Sequence, residues 1–362
     1  MNEAAKRSIE IDFFRGFALI AIALDHIPSS VLSHAMLHTF AYCDSAEVFV
    51  FVSGYVCAAS WLALAARKGE GAANRRFWRR GREIYAAYLF TAALMLLSGA
   101  AAVLLRVDSP LVGESGFLRF SAHPFTTLAN IAVFREQPYL AGVLPMYIVL
   151  VLALPTAMPF ARRSPDVVLF GSFGLWLGGC WLASWLPVAP GSVWPFNPFA
   201  WQAMFVLGLL CRLYPVTRAF QVSLQGRALT LLAFAIVVTF AAVRLFFDLE
   251  PQPGYMKQNL ASVRIVSFAA VAWLAAQAVR KGWIAQLAQR LPAIVNVGQQ
   301  GLACFVGGAV VSNLIDTLLR ALHANNWLPA RLAGDALAIA ALLTLAGSLR
   351  WWKSVRPRVA LT

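Results

Sequence analysis

Charge is what this 362-residue chain has little of: 13% of its residues are charged, and 16 are acidic against 30 basic. Hydrophobic residues make up 60% and mean hydropathy is +0.68, too apolar for a pair of soluble domains and too evenly apolar for a soluble domain with one anchor. The five cysteines, Cys43, Cys57, Cys180, Cys211 and Cys304, are scattered and have no C-x-x-C spacing, so neither a metal site nor a disulfide framework is expected. Regular ten-residue alternation of polar and apolar positions is missing, which argues against an outer-membrane barrel. There is no Walker-type or G-x-G-x-x-G loop, so ATP-driven chemistry lacks support. No repeat of fixed period, low-complexity segment or cleavable signal peptide is evident. The first apolar run is full length, starts with Asp12 and lacks a small-residue cleavage pattern.

What is there is a chain of long apolar runs, and the fold class it predicts is all-α: a polytopic membrane bundle forming a single domain over 1–362. Allowing about 20 apolar residues per span gives about ten transmembrane helices. They fall near 11–31, 47–66, 84–105, 140–160, 167–186, 199–214, 228–247, 260–279, 295–319 and 331–350. Pro145, Pro155 and Pro159 remove backbone donors from the fourth, so a kink or break is expected there. The net charge of +14 would suggest nucleic acid in a soluble protein, but the basic residues mark one side of a membrane, so no nucleic-acid partner is expected. Lys6, Arg7, the run from Arg67 to Arg82, Arg162, Arg163, Arg218, Arg227, Arg280, Lys281, Arg290, Lys353, Arg356 and Arg358 fall in one set of alternate loops. The opposite loops hold chiefly Arg119, Arg135 and Lys257, and the positive-inside rule then puts both termini in the cytoplasm. The longest outward loop is 106–139, and 67–82 is the only long inward one.

Ionisable residues inside a span cost roughly 2.5–3.5 kcal/mol each at the helix centre and face a protein interior or a watery cavity. The first span carries Asp12, Arg15, Asp25 and His26. Eleven residues of helix advance about 16 Å and turn about 1100°, which brings His26 to within roughly 20° of the face of Arg15. Asp12 can pair with Arg15 at i,i+3, whereas Asp25 points about 100° from His26. A structural pair, a proton relay and a catalytic dyad all fit that geometry. An imidazole at this depth can take a proton from a hydroxyl if a neighbour sets its tautomer, and Asp44 or Glu47, opening the second span, is a candidate partner.

Further along, Arg75-Arg76-Phe77-Trp78-Arg79-Arg80-Gly81-Arg82 sits at the inner mouth of the third helix. It suits orientation or anionic lipid, and equally the bidentate binding of phosphates. Asn296, Gln299, Gln300, Asn313, Asp316 and Arg320 are expected to act mainly as polar glue between helices, with Asp316 and Arg320 as an i,i+4 pair. Glu136 either reaches a substrate or pairs with Arg135.

Together these segments resemble the OpgC family, membrane proteins that succinylate osmoregulated periplasmic glucans within the wider class of integral-membrane type 3 acyltransferases. The stretches that carry the resemblance are Ile11-Asp12-Phe13-Phe14-Arg15-Gly16, Asp25-His26-Ile27-Pro28, Asp44-Ser45-Ala46-Glu47 through Val52-Ser53-Gly54-Tyr55, Phe77-Trp78-Arg79-Arg80-Gly81-Arg82 and Gly142-Val143-Leu144-Pro145-Met146-Tyr147. The likeness covers roughly the first 160 residues well and is diffuse beyond, where Val297-Gly298-Gln299-Gln300-Gly301-Leu302 carries it. Tyr55 departs from the phenylalanine that often follows Ser-Gly in the class. The resemblance implies transfer of an acyl group, succinyl for this family, from a cytoplasmic acyl-CoA to a hydroxyl on a periplasmic glucan at the bacterial inner membrane. His26 would be the catalytic base, Arg15 would hold it or the donor, and Asp44 or Glu47 would orient the imidazole or bind the acceptor. Arg76, Arg79, Arg80 and Arg82 would contact the phosphates of CoA, which is a donor substrate rather than a tightly bound cofactor. Asp25, Ser53, Tyr55 and Glu136 are the candidate substrate-binding residues. Two alternatives remain at this stage: O-acetylation of another surface polysaccharide, and proton-coupled transport of an anion or glycolipid, which broken helices and buried ionisable groups suit equally.

Overall fold

The computed structural model describes residues 8–107, 109, 111–247 and 252–355; Lys6, Arg7, Arg356 and Arg358, counted above for orientation, lie outside them. The described residues form helices and connecting turns, with no strand among them. The principal helices are α1 (Ile9–Asp25), α2 (Ser45–Lys68), α3 (Glu70–Leu104), α4 (Val143–Arg163), α5 (Pro165–Leu177), α6 (Pro198–Leu213), α7 (Leu224–Phe246), α8 (Ser262–Arg280), α9 (Pro292–Gln299), α10 (Gly301–Ala321) and α11 (Leu328–Val355). Seven helical segments are long and apolar enough to cross a membrane, or eight if α5 and its bent continuation Gly179–Trp185 count as one span. The ten spans read from the sequence are therefore not all upheld. The shortfall lies in α1 and α6, whose 17 and 16 residues reach only about 26 and 24 Å against a hydrocarbon core of about 30 Å.

Three boundaries differ from expectation, each for a local reason. α1 stops at Asp25 rather than at residue 31, because Pro28 has no amide hydrogen and its ring would clash with the carbonyl four residues back. His26 is consequently the C-cap of α1 and lies outside its regular turns. α4 runs unbroken through Pro155 and Pro159, while Pro145 falls in its first turn, where a missing N–H costs nothing. The sharp bend, 63°, is in the fifth span instead, at the Gly178–Gly179 pair. The basic stretch is helix rather than loop: α2 ends at Gly69, with φ of 82°, and α3 starts at once. At 35 residues α3 is about 52 Å long, so its arginine-bearing end extends well past a core of about 30 Å.

Two helix pairs come into backbone contact through glycine. A side chain at Gly16 would collide with the Ile294 carbonyl of α9, and one at Gly298 with the Asp12 carbonyl of α1. Gly54 and Gly208 interlock α2 with α6 in the same way, against Phe205 and Phe51. Where the surrounding solvent is as apolar as the side chains, such close backbone approach is the main source of helix association. By contrast, only 6% of the most apolar stretch of α7 is buried within the protein. Gly298→Leu is expected to lower the thermal unfolding midpoint in detergent by about 5 °C or more, since overpacking costs about 1–3 kcal/mol and backbone cannot yield as a side chain does. Gly171→Leu, where an added side chain meets nothing within 4 Å, should leave it unchanged.

Candidate active site

His26 is half-buried at the end of α1, and its Nδ1 lies 2.5 Å from the Ile22 carbonyl oxygen. A carbonyl can only accept, so the proton sits on Nδ1 and the Nε2 lone pair is free. The tautomer is thus set by the backbone of its own helix, in place of the carboxylate partner considered above. The His26 ring packs edge-on against Tyr139, with centroids 5.4 Å apart, and lines a cavity of about 260 Å3 with Leu19, Ile22, Ala23, Leu140, Phe305, Gly308 and Ala309.

A second cavity of about 280 Å3 also has Phe305 in its wall and is lined by Arg15, Phe49, Arg80, Val143, Leu144, Tyr147 and Leu302. Arg15 is 9% exposed, and among the described residues no carboxylate forms an ion pair with it. Asp12 is bonded instead by Gln299 of α9 at 3.2 Å, and the Arg15 Nε has no hydrogen-bond partner. The guanidinium sits 5.9 Å from the Phe49 ring centre and lies flat enough against Gly301 that a Cβ there would strike it. It can occupy that place because the ninth predicted span breaks at Gln300 and α10 begins with glycine. Ser53, also buried, comes from the same region of α2 as Cys57, whose sulfur is 3.9 Å from the Tyr147 hydroxyl.

Asp44 and Glu47 are fully committed elsewhere. Asp44 caps α2 through Ala46 N–H at 2.7 Å, and Glu47 accepts the Asp44 N–H at 2.9 Å, a reciprocal capping box. Their other oxygens take Arg264 of α8, at 2.6 Å to Glu47 and 3.0 Å to Asp44, and Lys257, at 2.8 Å to Asp44. All four carboxylate oxygens are engaged, and none reaches His26 by a hydrogen bond. Burial alone would raise the Asp44 carboxyl, but the Lys257 ammonium and the Arg264 guanidinium outweigh it and hold it far below the usual carboxylate range. Arg264 and Lys257 were not singled out as site residues in the sequence. They lie more than 200 residues from their partners, and only their isolation in an apolar, acid-poor stretch marks them.

Of the four arginines expected at the donor side, Arg76, Arg79 and Arg80 converge on Glu83 at 3.2, 3.3 and 3.1 Å, and Arg80 alone of them lines the cavity that holds Arg15. Arg82 is exposed on another face of α3. Tyr55 lies against Arg212 of α6, 5.7 Å from ring centre to guanidinium, and lines neither cavity. Glu136 pairs with Arg119 at 3.4 Å in place of Arg135, in a loop whose short helices fold onto α3 through the Tyr85 and Tyr88 hydroxyls. Asp316 does pair with Arg320, at 2.9 Å. Asp25 pairs with His38 at 3.4 Å.

Helices of membrane length define a multi-pass membrane protein, and a histidine and a buried arginine on cavities that share Phe305 are its candidate site. The chain belongs to the OpgC family: the family described as OpgC protein matches residues 7–354, nearly all of it. Family membership indicates acyltransferase-type activity on glucans. No curated protein and no solved structure matches the chain.

The Asp25–His38 pair carries a pH signature. The Asp25 carboxylate, accepting from the His38 imidazole, raises it above its ordinary value of 6.5, against a smaller opposing effect of burial. A raised folded-state value means that the stabilisation is complete below that ordinary value and is lost as pH climbs through the raised one. His38→Ala should therefore lower the unfolding midpoint near pH 6 and leave it nearly unchanged at about pH 9.

Proposed function

We propose that this protein is an O-acyltransferase of the bacterial inner membrane. It moves a succinyl group from cytoplasmic succinyl-CoA to a hydroxyl of a periplasmic glucan, with both its termini in the cytoplasm. The observation that carries the reading is the pair of cavities that share Phe305 as a lining residue, one lined by His26, whose Nδ1 is held by Ile22, and the other by Arg15, a buried guanidinium with an unbonded Nε. A buried cation without a carboxylate is costly unless an anion arrives, which suits an anionic donor.

In this mechanism the acceptor hydroxyl gives its proton to His26 Nε2 as its oxygen attacks the thioester carbonyl carbon. The C–O bond forms, the C–S bond breaks, and the imidazolium returns the proton to the departing CoA sulfur. The Ile22 carbonyl, receiving the Nδ1 hydrogen, steadies the imidazolium while it carries charge. Arg15 and Arg80 hold the anionic part of the donor, and Arg76, Arg79 and Arg82 at the exposed end of α3 receive the CoA phosphates. Asp44 and Glu47 act through their ion cluster with Lys257 and Arg264, shaping the acceptor side beside Asp25, Tyr139 and Glu136.

Radiolabelled succinyl-CoA and purified glucan provide the test. Wild type should transfer label; His26→Ala, inserted and folded, should transfer none, and substantial residual transfer would sink the mechanism. An added mass of acetyl rather than succinyl on envelope glucans would redirect the reading to O-acetylation, and substrate flux into proteoliposomes without acylation would replace it with transport. Arg80→Ala should raise the KM for succinyl-CoA by about tenfold or more, the equivalent of about 1.5–3 kcal/mol for a lost charge-assisted bond, while Arg82→Ala raises it by a few-fold at most.

A further inference from the structure

The turn that follows His26 is held by a helix more than 300 residues away in sequence. α1 ends at Asp25, and the chain then makes two tight turns, Ile27 N–H to the Leu24 carbonyl at 3.0 Å and Ser30 N–H to the Ile27 carbonyl at 2.9 Å. A short 3-10 helix, Leu32–Ala35, comes next, with Val31 as its N-cap and no side-chain cap of its own. The first amides of such a helix have no partner within it. Here the Val31 and Leu32 N–H groups both donate to one oxygen, Oδ2 of Asp335 on α11, at 2.9 Å each. Asp335 is 0% exposed, takes part in no ion pair among the described residues, and its Oδ1 has no hydrogen-bond partner. One helical turn earlier on the same face, Arg331 Nε donates to the Ser29 carbonyl at 2.5 Å. From α10, the Ser312 hydroxyl donates to the Ala23 carbonyl at 2.7 Å, three residues before His26.

We propose that Asp335, assisted by Arg331, is the positioning residue for His26: it clamps the 29–32 turn so that α1 ends at Asp25 and the imidazole keeps its Nδ1 bond to Ile22 with Nε2 toward the cavity. Without the clamp the turn loses the anchors on its far side. The histidine, being a cap rather than a residue within a regular turn, is then free to leave the conformation that sets its tautomer. A buried carboxylate used only as an acceptor for two backbone amides of a neighbouring segment has no need of its charge, and a single amide oxygen can take its place. That separates this role from an electrostatic one.

The inference rests on His26 being the base of the proposed transfer, and the experiment keeps the two apart. In the succinyl-transfer assay Asp335→Ala should lower kcat by about tenfold or more with the KM for succinyl-CoA within about twofold of wild type, while Asp335→Asn keeps kcat within about threefold. Wild-type kcat in Asp335→Ala, or an Asn variant as impaired as the Ala variant, overturns the proposal. Carbethoxylation of His26 by diethyl pyrocarbonate, followed by peptide mass spectrometry, reads the imidazole without turnover. Its rate should change at least about fivefold in Asp335→Ala and match wild type in Asp335→Asn; an unchanged rate in Asp335→Ala overturns the clamp. This readout stands even if wild type transfers no succinyl group and the functional reading fails. Should Asp335→Ala fail to fold, Arg331→Ala decides by the same two measurements, a lowered kcat and altered His26 reactivity supporting the clamp and wild-type values refuting it.

Discussion

An unpaired guanidinium inside an apolar bundle is the constraint on which the rest of the structure depends. Arg15 is buried among helices that offer it no carboxylate, and a charge in that position is tolerated only if its surroundings are shaped to it. Phe49 supplies a ring face, Gly301 supplies an absence of side chain, and the cavity shared with Arg80 and Tyr147 supplies open volume. The break between α9 and α10 follows from the same need, because a continuous helix with a side chain at 301 would fill the volume that the guanidinium takes. The glycines at 16 and 298, by bringing α1 against α9, set how close Arg15 comes to that break.

Ionisable groups are few in the interior, and the two buried clusters differ in how fully they are satisfied. Asp44 and Glu47 meet Arg264 and Lys257 in a closed set in which every carboxylate oxygen is bonded. Such a set is a rigid joint between α2, α8 and the loop carrying Lys257, and it has no capacity left for proton transfer. Arg15 and His26 are the opposite case: each lines a cavity, the Arg15 Nε has no hydrogen-bond partner, and the His26 Nδ1 is held by backbone alone. The proposed chemistry uses the incompletely satisfied pair, and the satisfied cluster joins the elements around it.

Helical periodicity made part of the site legible before any coordinates. Arg15 and His26 fall on one face by the arithmetic of 3.6 residues per turn, and they line adjoining cavities. The concentration of arginines at the start of α3 was equally plain, but periodicity applied to a presumed loop could not say that Arg80 alone turns inward. Partners were harder. The i,i+3 spacing allows Asp12 to pair with Arg15, yet Gln299 bonds it; Glu136, open to a substrate or to Arg135 by sequence, pairs with Arg119. Spacing predicts neighbours within one helix, whereas a buried polar group bonds whichever helix packs against it.

By itself the sequence determined an all-α membrane protein, the approximate course of its helices, and the two ionisable residues that the first helix must place in its interior. These follow from composition and local period, which every residue carries with it. Only the tertiary structure decided that α1 ends before His26, that the imidazole takes its tautomer from Ile22, that Asp335 holds the next turn, and that Asp44 and Glu47 belong to Arg264 and Lys257. Each of these is a hydrogen bond or ion pair at a helix end or across a helix interface. The free energy of burying a polar group depends on what lies within about 3 Å of it, and hydropathy along a chain holds no record of that distance.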